Sequence, residues 1–179
     1  SIISKPAGFR VIFVYLMEAI VNSLLVGVTI GLALIITVIG FFFRSASFGF
    51  LSSFPNILPI VSAFGIWAII DGQIDFMVAV GMGSTLGIIV DFTVHLLSKY
   101  DLARQELKKS PEDAVLFAFE AVGFALIAMT IILALGFSVL HLVSFLPMHN
   151  FAQFSILAFV FALIIDFFLF PNLLVRFDK

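Results

Sequence analysis

An acid and a histidine lie one helical turn apart in the apolar run from Gly81 to Tyr100. Residues four apart share one face of a helix, so Gly83, Gly87, Asp91 and His95 form a single row. An ionisable side chain at membrane depth is costly and is a functional-site hypothesis by default. The glycines would let another helix approach closely, which predicts that Asp91 lies inside a bundle. The row therefore predicts a proton relay centred on Asp91, and a structural acid bonded to a neighbouring helix is the alternative.

Four other polar residues are candidates for the same chemistry. His95 is either a relay partner or a packing histidine, and Thr130 either bonds back to its own helix or reaches Asp91. Glu18 is either an exposed acid near the membrane surface or a pathway group. Asp166 is a candidate pathway residue, although we expect it to pair with an interfacial basic residue or with water.

Catalytic and metal sites are not predicted. An Asp and a His four residues apart are a weak metal signal without further ligands. The chain has no Cys, which excludes thiol chemistry and Cys-based metal sites. It also lacks a nucleophile with a base and an orienting group, and a glycine-rich phosphate loop. We therefore expect no enzyme, no metal and no cofactor, with the proton as the coupling ion.

The composition places the chain among membrane proteins. It is 63% hydrophobic and 11% charged, whereas soluble domains are about half apolar and a quarter charged. The formal net charge of −2 and the absence of a basic stripe argue against nucleic acid as a partner. The chain begins at Ser1 without Met, and we expect it to be part of a longer polypeptide.

Hydropathy predicts five helices, each near or above the roughly 20 apolar residues that cross a bilayer. Two prolines in the first turns of the second helix predict a bent entry, and Ser110 followed by Pro111 predicts the start of the fourth. A turn is expected at residues 146–150, and a helix end at Pro171. The predicted helices are residues 13–43, 50–70, 76–100, 111–141 and 151–170.

Basic residues set the expected orientation. With five crossings, the Arg44 turn, the charged segment 101–110 and the C-terminal tail lie on one side of the membrane. Most Lys and Arg residues are on that side, so the positive-inside rule makes it cytoplasmic. The helix carrying Asp91 then runs toward the cytoplasm.

Several segments together resemble a known transporter family. Residues 87–92, Gly-Ile-Ile-Val-Asp-Phe, continue as TVHLLSKY and are followed by SPEDA, by ALIAMTIILALGF at 125–137, and by Asp166 before Pro-Asn-Leu-Leu. The first piece is similar to the GxxxD[YF] relay segment of resistance-nodulation-division (RND) exporters, most closely the MMPL-type branch. Phe43-Arg44-Ser45 resembles the family's turn after the first helix of each half-bundle.

The resemblance implies the C-terminal half of a pseudo-two-fold transporter, the last five of twelve helices. Residues 1–12 would be a junction from an extracytoplasmic domain, 13–175 the transmembrane domain and 176–179 a cytoplasmic tail. Asp91 matches the family's proton-carrying acid. Phe92 stands where the mycobacterial branch has Tyr, which removes a hydroxyl from the relay. The helix has no Lys before Lys99, unlike the multidrug pumps of the superfamily.

The function implied by the resemblance is proton-driven export of a hydrophobic or lipid-like substrate across a bacterial inner membrane. The implied partners are an N-terminal half-bundle, extracytoplasmic domains, periplasmic accessory proteins and further copies in a dimer or trimer. Sterol-sensing lipid-binding modules and Sec-associated export auxiliaries share the fold, and they are the alternatives because a fold does not determine a function.

Overall fold

The computed structural model describes residues 9–70 and 75–178, and within them every regular element is a helix. Five stretches are long and apolar enough to cross a membrane, as the hydropathy predicted. Residues 1–8 of the predicted junction, and the predicted turn at 71–73, lie outside the described residues. The helices are α1 (Phe9–Phe42), α2 (Ala46–Leu51), α3 (Ser53–Ile70), α4 (Phe76–Gln105), α5 (Pro111–Ser138), a short 3₁₀ turn (Val139–Leu142), α6 (Leu146–Phe168) and α7 (Phe170–Phe177).

The second span begins earlier than predicted and is broken near its start. Ser45 caps α2, because its side chain accepts a hydrogen bond from the Phe48 amide at 3.4 Å. The helix is interrupted at Ser52, which lies between α2 and α3. Pro59 lies inside α3, where it removes a backbone donor. The second span thus consists of two consecutive helices, and the bend at its entry stays a prediction.

Three other predicted boundaries differ from the structure. The third span continues to Gln105, beyond the predicted end at Tyr100, and Gln105 bonds back to Asp101 at 2.6 Å. The predicted turn at 146–150 is wrong, because these residues form the first turns of α6. The predicted end at Pro171 is shifted, because α6 ends at Phe168 and Pro171 is in the first turn of α7, where its missing amide hydrogen leaves no bond unmade.

Helix α6 is at the centre of the bundle and packs against α3, α4 and α5. Large aromatic side chains from these helices fill the core, among them Trp67, Phe92, Phe154 and Phe159. Helix α1 is peripheral and packs mainly against α2 and α4. Most of its side chains are exposed. The other described helices therefore cover only part of the surface of this long apolar helix.

The C-terminal ends of α4 and α7 are joined by a polar cluster. The Asp178 carboxylate accepts a hydrogen bond from the Tyr100 hydroxyl at 2.6 Å and from Arg104 Nε at 2.7 Å. Arg104 also donates to the Lys109 carbonyl at 2.7 Å. The predicted 176–179 tail is thus partly helical and bonded to α4 in its described residues.

Helices α1 and α2 pack closely against each other at two glycines, Gly40 and Gly49. A Cβ atom placed on Gly49 would lie 2.7 Å from the Ile36 carbonyl oxygen and 2.9 Å from Gly40 Cα. These neighbours are backbone atoms of α1, which cannot rotate away as a side chain can. Only a residue without Cβ fits at position 49 while the two helices keep this spacing.

We therefore expect Gly49→Ala to push α2 away from α1 and to destabilise the protein by about 2 kcal/mol, as overpacking does. Gly40→Ala is the matched control on the opposing helix, because its Cβ would meet the nearest atoms at an ordinary 3.6 Å. Thermal unfolding in detergent micelles measures both variants. Equal midpoints for the two would show that the contact is looser than described.

Candidate functional site

The predicted relay row lies on an open face of α4. The side chains of Asp91 and His95 are exposed, and a Cβ on Gly87 would have no atom within 4 Å. Gly83 is close to α1 only at an ordinary distance, 3.7 Å from Val28 Cγ2 to its added Cβ. The expected burial of Asp91 inside a bundle is thus not found within the described part of the chain. The relay role of the row stays a prediction.

A groove between α1 and α4 ends beside this row. Its volume is about 330 Å³. Small residues line both walls, with Ser23, Gly27 and Gly31 on α1 facing Gly83 and Gly87 on α4. Cβ atoms on Gly27 and Gly31 would also meet nothing within 4 Å. Small residues on facing helices allow close helix contact in membranes, so the groove can receive another helix.

Asp91 lies in the middle of its helix. It is the sixteenth residue of α4, a helix of 30 residues. At a rise of 1.5 Å per residue, the carboxylate is about 22 Å from the start of a helix about 45 Å long. A charged group on the open surface at that depth costs about 3 kcal/mol or more in lipid. Exposure of a charged Asp91 to lipid is therefore unfavourable unless a partner or a water-filled path shelters the carboxylate.

Two other predicted site residues lie away from this face. The buried Thr130 hydroxyl donates to the Leu126 carbonyl at 2.9 Å, so of the two alternatives the bond to its own helix is the one present. Glu18 is exposed and lines a cavity of about 520 Å³. Asn22 and Asp75 also line this cavity, which lies at the N-terminal end of α4. The structure does not bring either residue to Asp91.

Asp166 differs most from its prediction. We expected it to pair with an interfacial basic residue or with water, and instead it is 0% exposed in the core. Its Oδ1 is 3.5 Å from the Thr93 hydroxyl, which also lies 3.2 Å from Asn56 Oδ1. Asn56 Nδ2 donates to the Ser52 carbonyl at 2.6 Å. Three membrane helices thus meet at one buried polar cluster.

Sequence reasoning missed Thr93 and Asn56 as members of this cluster. Two signals were available. Thr93 is two residues from Asp91, about 200° around the helix, so it had to face away from the open row. Asn56 stands between Pro55 and Pro59 in a helix that has no charged residue. Burying an amide in such a helix costs free energy unless the amide forms hydrogen bonds.

A metal centre has no support in the described residues. Among residues 9–70 and 75–178, no group of three or more His, Asp or Glu side chains could hold an ion.

Comparison with known proteins supports the membrane assignment. No protein-family model matches the chain, so the RND and MMPL resemblance has no support from that comparison. A Methanocaldococcus jannaschii protein named "Putative membrane protein MJ1562" is 29% identical over 149 residues. The match covers 82% of this chain and 38% of that protein, so the chain spans well under half of its relative's length.

These findings agree at a coarse level. The chain is a multi-pass integral membrane protein with five long apolar helices. The relative is archaeal, so the comparison supports an integral membrane location, and the bacterial inner membrane stays a prediction. Neither the relative's name nor its length assigns a transported molecule.

Proposed function

We propose that this chain is one half of a proton-coupled exporter for hydrophobic or lipid-like molecules, with Asp91 as the proton-carrying group. The observation that carries the proposal is the open carboxylate at the middle of α4, beside a groove lined by small residues. An acid in that position needs a second bundle to shelter it. The resemblance of residues 87–92 to an exporter relay segment points to the same role.

The covering partner is proposed to be a second half-bundle, with extracytoplasmic domains on the outer side. The unburied surface of α1 and the groove beside α4 offer that partner a continuous apolar face. The archaeal relative is long enough to contain further helices beyond the matched region. Periplasmic accessory proteins and a dimer or trimer of the whole transporter belong to the same proposal.

Once it is sheltered, the Asp91 carboxylate can bind one proton from the outer side and lose it to the cytoplasmic side. The neutral acid tolerates a dry helix contact better than the carboxylate does, so proton uptake favours closure of the two bundles. Proton release then favours the open, hydrated arrangement. His95, one turn closer to the cytoplasm, is placed to accept the proton as it leaves.

The test uses the full-length protein in liposomes that contain a pH-sensitive dye, with an imposed pH gradient. Nile red and a fluorescently labelled phosphatidylethanolamine serve as hydrophobic probes. We expect either probe to accelerate the collapse of the gradient in the wild type and not in Asp91→Asn, a loss of at least about tenfold, because the amide cannot carry a proton.

Glu120→Gln is the matched control, since Glu120 is an exposed acid on a neighbouring membrane helix. It should keep the wild-type rate. Probe-stimulated proton flux that is equal in the wild type and in Asp91→Asn would rule out the relay. A wild type without stimulated flux for either probe would rule out the exporter.

A further inference from the structure

We propose that Asp166, Thr93 and Asn56 form a second proton-binding site, enclosed within this half of the protein and separate from the Asp91 face. The three side chains come from α6, α4 and α3 and are each 0% exposed. The Asp166 Oδ2 atom is buried and has no hydrogen-bond partner among the described residues. A carboxyl oxygen in that state is the natural position for a bound proton.

No basic side chain neutralises Asp166 in the described structure. Helix α3 carries no charged residue at all. On the other neighbouring helices, Asp91, His95, Glu120 and Arg176 are exposed. The buried Tyr100 and the half-buried Arg104 of α4 both bond to Asp178 instead. Because an unpaired buried charge is far more costly than a buried neutral acid, the enclosed site favours the protonated form of Asp166.

Thr93 gives the bound proton a structural consequence. A threonine hydroxyl has one hydrogen to donate, and two acceptor oxygens lie within its reach. Asn56 Oδ1 at 3.2 Å is closer than Asp166 Oδ1 at 3.5 Å. When Asp166 is neutral, the hydroxyl hydrogen can go to Asn56 and bond α4 to α3.

Loss of the proton reverses this preference. A carboxylate is a stronger acceptor than an amide oxygen, so the Thr93 hydrogen would turn toward Asp166 and bond α4 to α6. Asn56 Oδ1 would then lose its donor while Asn56 Nδ2 stays on the Ser52 carbonyl. The proton on Asp166 thus selects which neighbouring helix α4 is bonded to, and no covalent bond other than the carboxyl O–H forms or breaks.

Infrared difference spectroscopy of the full-length protein in lipid bilayers tests the site without any transport assay. A protonated carboxylic acid has a carbonyl stretching band distinct from that of a carboxylate. We expect Asp166 to contribute one such band at neutral pH, lost reversibly as the pH is raised. It should remain in Asp91→Asn, disappear in Asp166→Asn and shift in frequency in Thr93→Val, which removes the hydroxyl while keeping the shape.

Emission of Trp67, the single tryptophan of this chain and 1% exposed, verifies that each variant is folded. Identical spectra for the wild type and Asp166→Asn at neutral pH would overturn the proposal, because Asp166 would then be ionised. A band that persists until Trp67 reports unfolding would overturn the switch. Loss of the band on adding Na⁺ at fixed pH would reassign the site to a metal cation. Failure of the Asp91 transport test would leave these spectra unaffected.

Discussion

Phe159→Ala should lower the free energy of unfolding by about 3 kcal/mol, near the lower end of the range for deleting a buried phenyl ring. Phe159 is 0% exposed at the centre of α6. Its ring packs edge-to-face on Phe137, with centroids 5.3 Å apart. Lipid is as apolar as the protein core, so most of the loss comes from the cavity and from missing packing contacts.

Trp67 lies in the same buried cluster and serves as the reporter of unfolding. Its emission should shift at a lower denaturant concentration in Phe159→Ala than in the wild type. Phe168→Ala is the matched control on the same helix, because Phe168 is 73% exposed. Similar midpoints for Phe159→Ala and the wild type would show that α6 is not the central packing element.

Gly87→Leu should abolish probe-stimulated proton flux in the reconstituted full-length protein while leaving the stability of this bundle unchanged. A Cβ atom at position 87 would meet no atom within 4 Å among the described residues, so the added side chain starts in open space. It would, however, project into the groove between α1 and α4, where the proposed second bundle packs. Loss of function without loss of stability is the mark of a blocked contact with a partner.

The control for this experiment is Gly65→Leu on α3, where an added Cβ also meets nothing within 4 Å. That variant should keep both flux and stability, because Gly65 does not line the groove. Unfolding midpoints from Trp67 emission and flux from the encapsulated dye are measured on the same samples. Wild-type flux in Gly87→Leu would mean that no helix packs against this face.

Sequence alone predicts the membrane architecture well, for a simple physical reason. Each span is apolar over more than the thickness of a bilayer, and the signal is local to each helix. The start of α5 was also predicted, and Ser110 accepts a hydrogen bond from the Asp113 amide at 3.2 Å. The end of α4 was not predicted, because a helix can continue past its apolar segment when a local bond such as Gln105 to Asp101 supports it.

The sequence could not predict which helices pack against each other. The spacing of Gly83, Gly87 and Asp91 correctly puts these residues on one face, but spacing does not say whether that face packs inside the chain or awaits a partner. The Asp166 cluster is still harder to predict from the sequence. Its members are separated by 37 and 73 residues, and hydropathy patterns carry no information about which helices are neighbours.

The bonds of Asp178 to Tyr100 and Arg104 have a mechanical consequence. They fasten the end of α4 to the residues that follow α7. Helix α4 also carries Asp91 on its open face and Thr93 on its buried face. If either carboxyl changes its proton and α4 shifts along its axis, the shift must break the Asp178 contacts or displace the last turn of α7. A change of protonation at Asp91 or at Asp166 would then alter the accessibility of the C-terminal residues to a protease.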